Sequence, residues 1–313
     1  MFRWLICTVG IVCSLHLFAP ALHGAVLSPG DLIYYDPSPP SYALHQIEPA
    51  TGEASVIANL HEFSPEDMAV GLDGQVYLTG GVLGGGEGVF RVDPATGDWG
   101  RLYPGDDDGP LGIAPNGDII FYDEDGSPPF ATLVRIDPAT GDGSVIAYLD
   151  DMSPGDMAIG PDGQVYLSGD GEEDPEGVFR IDPATGNHEF FYPGDDDGVL
   201  GLAPNGDVIF FDSSPPSYPL LRIDPATRVS SVITNLYDIS PEDMAVGLNG
   251  LIYLSGADRQ GPDGVFRVDP ATGNRDLFFP GDDDGPLAIV PRHARTIIPE
   301  PAALLVWSLL AGL

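Results

Sequence analysis

The chain has 313 residues, a formal net charge of −36 at pH 7, and 12 basic residues, none of them lysine. Such a surface repels phosphate backbones, which excludes nucleic acid as a partner and favours cations, basic proteins, or simply solubility in a salty medium. Both cysteines, Cys7 and Cys13, lie near the N-terminus, so a chain processed beyond them has neither a disulfide nor a Cys-ligated metal.

Residues 1–24 read as a secretory signal peptide. Arg3 supplies the positive start, Trp4 to Phe18 the apolar run, and small residues from Ala21 to Ala25 the cleavage region. The run is short for a bilayer-spanning helix of about 20 residues. Ile11-Val12 before Cys13 lacks the small residues of a lipoprotein signal.

The body, residues 26–290, is a repeat. The phrase Arg135-Ile136-Asp137-Pro138-Ala139-Thr140-Gly141 returns in near-copies beginning at Gln46, Arg91, Arg180, Arg222 and Arg267. Each unit has one internal order. Met68-Ala69-Val70 is followed by Asp73-Gly74, the strand Gln75 to Leu78, a variable loop, the strand Gly88 to Val92, the Asp93-Pro94-Ala95-Thr96-Gly97 turn and a last strand around Gly100 to Tyr103. Asp-Gly and Asn-Gly pairs accept positive φ and signal hairpins. Four short strands in about 44 residues, repeated six times, predict an all-β, six-bladed β-propeller with four antiparallel strands per blade. Inner strands are expected to begin at Met68, Leu111, Met157, Leu200, Met244 and Leu287. The last has no blade after it, while Leu32 to Asn59 lacks a first strand, so Leu287 to Val290 should complete that N-terminal blade and close the ring.

A longer period overlies the first. Pro104-Gly105-Asp106-Asp107-Asp108-Gly109 returns at Pro193 to Gly198 and Pro280 to Gly285, alternating with Ser64-Pro65-Glu66-Asp67, Ser153-Pro154-Gly155-Asp156 and Ser240-Pro241-Glu242-Asp243. The blades therefore form three two-blade units about an approximate three-fold axis.

Residues 291–298 read as a linker. In residues 299–313, Pro299-Glu300-Pro301 precedes an uncharged apolar run, Ala302 to Leu313. This segment resembles the bacterial PEP-CTERM sorting signal. That resemblance implies export, transient membrane association through the C-terminal segment, and processing by an exosortase-type enzyme in Gram-negative-type bacteria that build extracellular polysaccharide. The basic end of that signal is missing and the apolar run is shorter than a span of about 20 residues, so the segment reads as truncated or incomplete. An apolar end packed on the propeller is the alternative.

The acidic loops are the candidate chemistry. Asp106, Asp107, Asp108, Asp195, Asp196, Asp197, Asp282, Asp283 and Asp284, with Asp67, Asp156 and Asp243, are expected to ring one mouth of the central channel. Carboxylates this concentrated are either splayed into solvent or neutralised by a hard cation, and oxygen-only ligands point to Ca²⁺ or Mg²⁺. Three consecutive aspartates lack the alternating spacing of an EF-hand loop, so the solvated reading stands beside the metal one. The repeated arginine is expected to pair with a neighbouring-strand carboxylate. His45, His61, His188 and His293 form no zinc or triad pattern. Proline and aromatic loops, Ser38 to Tyr42, Ser127 to Phe130 and Ser214 to Tyr218, read either as a rigid rim for sugar or peptide or as simple caps on the sheet ends.

Across residues 26–290 the repeat style resembles six-bladed propellers of the gluconolactonase, NHL and streptogramin-lyase type. The resemblance implies a divalent ion held in the channel in the enzymes of that type, but no catalytic set maps onto this chain. The expected function is an exported, surface- or exopolysaccharide-associated, non-catalytic propeller that binds or scaffolds a polysaccharide or protein ligand. The alternative is a divalent-metal-dependent hydrolase or lyase of the lactonase-like type.

Overall fold

The computed structural model describes residues 25–106, 108–124, 131–149, 152–171, 175–195 and 198–294. The segments read as a signal peptide and as a sorting signal, including Pro299, Glu300 and Pro301, lie outside the described residues, as do Asp107, Asp196 and Asp197.

Twenty-four strands among the described residues form six four-stranded sheets. Blade 1 holds β1 (Leu32–Asp36), β2 (Ala43–Ile47) and β3 (Ala54–Asn59). Blade 2 runs β4 (Phe63–Val70), β5 (Val76–Val82), β6 (Glu87–Val92) and β7 (Trp99–Pro104). Blade 3 runs β8 (Leu111–Ile113), β9 (Ile119–Asp123), β10 (Thr132–Ile136) and β11 (Gly143–Tyr148). Blade 4 runs β12 (Met152–Ile159), β13 (Val165–Gly171), β14 (Gly177–Ile181) and β15 (His188–Pro193). Blade 5 runs β16 (Leu200–Leu202), β17 (Val208–Phe211), β18 (Pro219–Ile223) and β19 (Ser230–Asn235). Blade 6 runs β20 (Ile239–Val246), β21 (Ile252–Asp258), β22 (Gly264–Val268) and β23 (Arg275–Pro280). The inner strand of blade 1 is β24 (Leu287–Ile289), antiparallel to β1 with Leu32 opposite Ile289. The ring closes as the repeat predicts.

Every pairing within a blade is antiparallel, and the twist of stacked sheets turns the six into a propeller. The second strands are apolar without alternation, as in Val76-Tyr77-Leu78, because each sheet is covered on both faces by its neighbours. The core is accordingly divided among blade seams: Ile33, Tyr35 and Leu44 meet Met68, Val76 and Leu78 between blades 1 and 2, and Ile209 and Phe211 meet Met244 and Leu254 between blades 5 and 6.

The repeated Asp-Pro-Ala-Thr-Gly turn has a cause beyond proline and glycine. The Asp93 carboxylate accepts the Ala95 N–H at 2.8 Å, and Asp137, Asp182, Asp224 and Asp269 repeat the bond. The glycine closing the turn has positive φ. In blade 5 Arg228 takes that place at φ 58°, so the turn accepts one non-glycine residue in the left-handed region.

One expectation is corrected. Ser64-Pro65-Glu66-Asp67 and its two counterparts are strand, not loop: β4, β12 and β20 start at Phe63, Met152 and Ile239, earlier than the sequence pattern suggests. A bulge between Pro65 and Asp67 lets the strand carry a proline without disturbing the ladder. Its partner Gly80 sits at φ 151°, and a Cβ there would lie 2.1 Å from the Ser64 carbonyl oxygen. The bulge and its glycine therefore come as a pair.

Candidate functional site

The bulge aims the aspartate that follows it toward the next blade. Asp67 Oδ2 accepts the Leu111 N–H at 2.6 Å, and Oδ1 accepts the N–H of its own successor Met68 at 2.6 Å. Asp156 does the same for Leu200 and Met157, and Asp243 for Leu287 and Met244. Each carboxylate thus fastens the first residue of the following inner strand. Asp243 fastens the strand that closes the ring. The side chains keep partial exposure along the channel, yet protein atoms enclose them closely. All three pKa values are raised, with burial the largest cause, and for Asp67 and Asp156 the repulsion of the facing carboxylates adds to it.

Opposite these aspartates in register stand Thr79, Ser168 and Ser255, each fully buried. The Asp67 N–H donates to Thr79 Oγ1 at 3.1 Å, whereas the hydroxyls of Ser168 and Ser255 have no partner. Away from this ring the channel wall is apolar: Met68, Val70, Leu111, Ile113, Met157 and Leu200 border a cavity of about 260 Å³.

The described aspartates of the Asp-Asp-Asp loops lie apart from the struts. In the last of them the carboxylates of Asp282, Asp283 and Asp284 place one oxygen each within 4.8 Å of the others, the one such group among the described residues. Tyr34 donates its hydroxyl to the Asp282 carbonyl at 2.7 Å, and Ser38 donates to Asp282 Oδ2 at 3.3 Å. Burial pushes Asp282 up, but hydrogen bonds from Asp283, Asp284 and Ser38 outweigh it and leave the pKa low. The shared hydrogen bond raises Asp283, and burial followed by the same sharing raises Asp284. The three carboxyls therefore retain a proton together more readily than separate ones. In the first loop the Asp106 N–H donates to Asp123 Oδ1 at 3.0 Å, and Asp108 is exposed; Asp195 is half-buried. Of the twelve aspartates nine are described: Asp67, Asp156 and Asp243 form an inner ring of struts, and Asp106, Asp108, Asp195, Asp282, Asp283 and Asp284 lie in loops apart from it.

The repeated arginines behave as scaffold. Arg180 pairs with Glu189 and Arg267 with Asp276 on the outer strand, while Arg135 and Arg222 lie 3.7 and 3.9 Å from Asp118 and Asp207. Such exposed pairs contribute little stability. Tyr34 breaks the repeat: its counterparts are Phe121 and Phe210, and His45 stacks on it with ring centroids 6.5 Å apart. Burial lowers the His45 pKa.

On the same face as the struts, a groove of about 580 Å³ opens between blades 1 and 2. Tyr35, Tyr42 and Phe63 supply aromatic surface, Leu83 an exposed apolar edge, and Glu62, Glu66, Glu87 and Asp284 the acidic rim. The sequence pattern singled out Tyr42 and set His61 aside as part of no zinc or triad pattern, but missed Glu62, beside His61, and Leu83, on another loop. It also missed Thr79, Ser168 and Ser255, although the recurrent Tyr-Leu-Thr/Ser-Gly phrase marks them.

The sequence matches no protein-family model and no curated protein. Solved structures match over most of the chain. TolB from Acinetobacter baumannii superposes with a TM-score of 0.67 at 14% identity, covering 84% of this chain and 67% of that one. A chain of the nidogen/laminin complex gives 0.66 at 12% identity, covering 84% and 98%. A gluconolactonase from Xanthomonas campestris gives 0.57 at 15% identity, covering 82% and 91%. At these identities the similarity shows the six-bladed propeller fold.

Proposed function

We propose that this chain is an exported, non-catalytic propeller that binds or scaffolds a partner at the cell surface or in the polysaccharide matrix. The observation that carries the reading is the strut ring. All three channel aspartates have both oxygens engaged by backbone amides, in three equivalent copies. An enzyme site needs polar groups that differ from their symmetry mates and face a reactant, and these do neither. Residues 1–24 and 299–313 support export, and the nidogen/laminin match shows the fold within a protein–protein complex. Fractionation of the producing cell tests the address: protein outside the cytoplasm, shortened at both ends, is expected, and full-length cytosolic protein would overturn it.

A divalent-metal-dependent hydrolase or lyase is the second reading, favoured by the partnerless Ser168 and Ser255 hydroxyls beside two of the carboxylates and by the gluconolactonase match. The donor set that fits a hard cation is Asp282, Asp283 and Asp284, all oxygen and close together. A bound ion there would supply Lewis-acid polarisation. Metal analysis with melts in calcium and in chelator separates the readings: no ion and no shift favour the binding protein, whereas a tightly held ion favours the enzyme.

A further inference from the structure

The three-fold repeat lets one part of the molecule report what another part binds. The groove between blades 1 and 2 has a counterpart between blades 5 and 6, built on the same frame. Tyr42 and Tyr218 both take left-handed φ, 44° and 45°. Their carbonyls accept the N–H of Leu60 and of Leu236, and their own N–H groups donate to Ser38 and Ser214. Each tyrosine meets a second ring edge-on, His61 at 5.7 Å and Tyr237 at 6.5 Å between centroids. The Leu83 N–H donates to the Glu62 carbonyl as the Arg259 N–H donates to the Asp238 carbonyl, both at 2.9 Å. The corresponding part of the remaining unit lies partly outside the described residues.

The two copies differ in the cations they carry. Between blades 5 and 6 the guanidinium of Arg259 lies over the Tyr218 ring, 5.9 Å from its centroid, and helps hold the Asp238 carboxyl low after the larger effect of its bond from Arg275. Between blades 1 and 2 Leu83 replaces that arginine and is 89% exposed. Glu62 replaces Asp238, and Trp99 replaces Arg275 and packs on Phe63. The wall keeps its aromatic platform and its carboxylates and, among the described residues that line it, includes no lysine or arginine.

We propose that the groove between blades 1 and 2 docks an arginine side chain of an extended segment of a partner protein, its guanidinium over Tyr42 and its charge facing Glu62 and Glu87. The occupant follows from the internal copy, where the chain places its own guanidinium in that position, and from charge complementarity with an acidic rim. Arginine suits the site better than lysine because its planar head stacks on a ring while its edges donate to carboxylates. The inference rests on the binding-protein reading and supplies the class of its partner.

The probe is a fluorescein-labelled peptide, Gly-Ser-Arg-Ser-Gly, set against the same peptide with citrulline, which keeps the shape and removes the charge. Wild-type protein should bind one arginine peptide, about tenfold or more tighter than the citrulline peptide. Leu83→Arg should abolish binding by filling the groove from within. Val145→Arg, which adds the same charge on half-exposed β11, should leave it unchanged. Arg259→Leu combined with Arg275→Trp, which also frees Asp238 from its own partner, should open the second copy and raise the stoichiometry to two. Equal affinity for the two peptides, unchanged binding in Leu83→Arg, or a stoichiometry of one in the folded double variant Arg259→Leu/Arg275→Trp would each overturn the proposal. None of these results touches the address of the protein, which fractionation tests separately.

Discussion

Replacing Asp243 by alanine removes the acceptor for two backbone amides at once, those of Met244 and Leu287. Both residues are at most 6% exposed, so water replaces the lost bonds poorly. A buried amide without its acceptor costs about 1–3 kcal/mol. The variant also loses the cost of holding a carboxylate away from bulk water, which offsets part of the penalty at neutral pH. A net loss of about 3 kcal/mol is expected, or a melting temperature lower by about 6–12 °C for a domain of this size. Thermal unfolding followed by circular dichroism reads it directly. Asp282→Ala is the comparison, because its partners, the Asp283 N–H, the Ser38 hydroxyl and the carboxyls of Asp283 and Asp284, are part-buried or exposed. It should cost less than about 1 kcal/mol. If Asp243→Ala melts within about 2 °C of wild type, the carboxylates are not struts.

Four further outcomes follow from the same structure. Asp67, Asp156 and Asp243 have folded pKa values raised above the unfolded ones, so their contribution to stability is fully present below about pH 4 and is lost as pH rises through the raised values. The melting temperature should therefore fall from about pH 5 to about pH 8, and the triple Asp→Asn variant should show a flatter profile. The turn residues Asp182, Asp224 and Asp269 have lowered pKa values through their Ala184, Ala226 and Ala271 N–H bonds and act in the opposite sense, only on acidification. Gly80→Ala forces a Cβ to 2.1 Å from the Ser64 carbonyl oxygen and should lower stability by several kcal/mol or prevent folding, whereas Gly100→Ala, with nothing near its Cβ and no positive φ, should yield folded protein. Calcium should leave the melting temperature of wild type unchanged in differential scanning fluorimetry; a rise abolished by Asp282→Ala would instead assign an ion to Asp282, Asp283 and Asp284.

The ring was legible from the repeated phrase because turns are local: Asp137, Pro138 and Gly141 act within a few residues, and their spacing counts blades. Closure by Leu287 was legible for the same reason, as an unmatched strand at each end. The Ser-Pro-x-Asp segments misled because proline reads as a turn, while here a bulge and the distant Gly80 accommodate it inside a strand. The role of Asp67 was hidden further, since its partner Leu111 is 44 residues away and contributes a backbone amide, which no residue type marks. The groove shares this property. Tyr42, Glu62, Leu83 and Asp284 belong to two blades and both ends of the chain, and only comparison of Leu83 with Arg259 in space shows their relation.

Crystals grown in millimolar calcium, with the anomalous signal measured at the channel, test the function of the strut ring most directly. The expected map has the carboxylates of Asp67, Asp156 and Asp243 on the amides of Leu111, Leu200 and Leu287, with no ion among them. A calcium peak at about 2.3–2.6 Å from two or more of these carboxylates would contradict it and turn the struts into ligands.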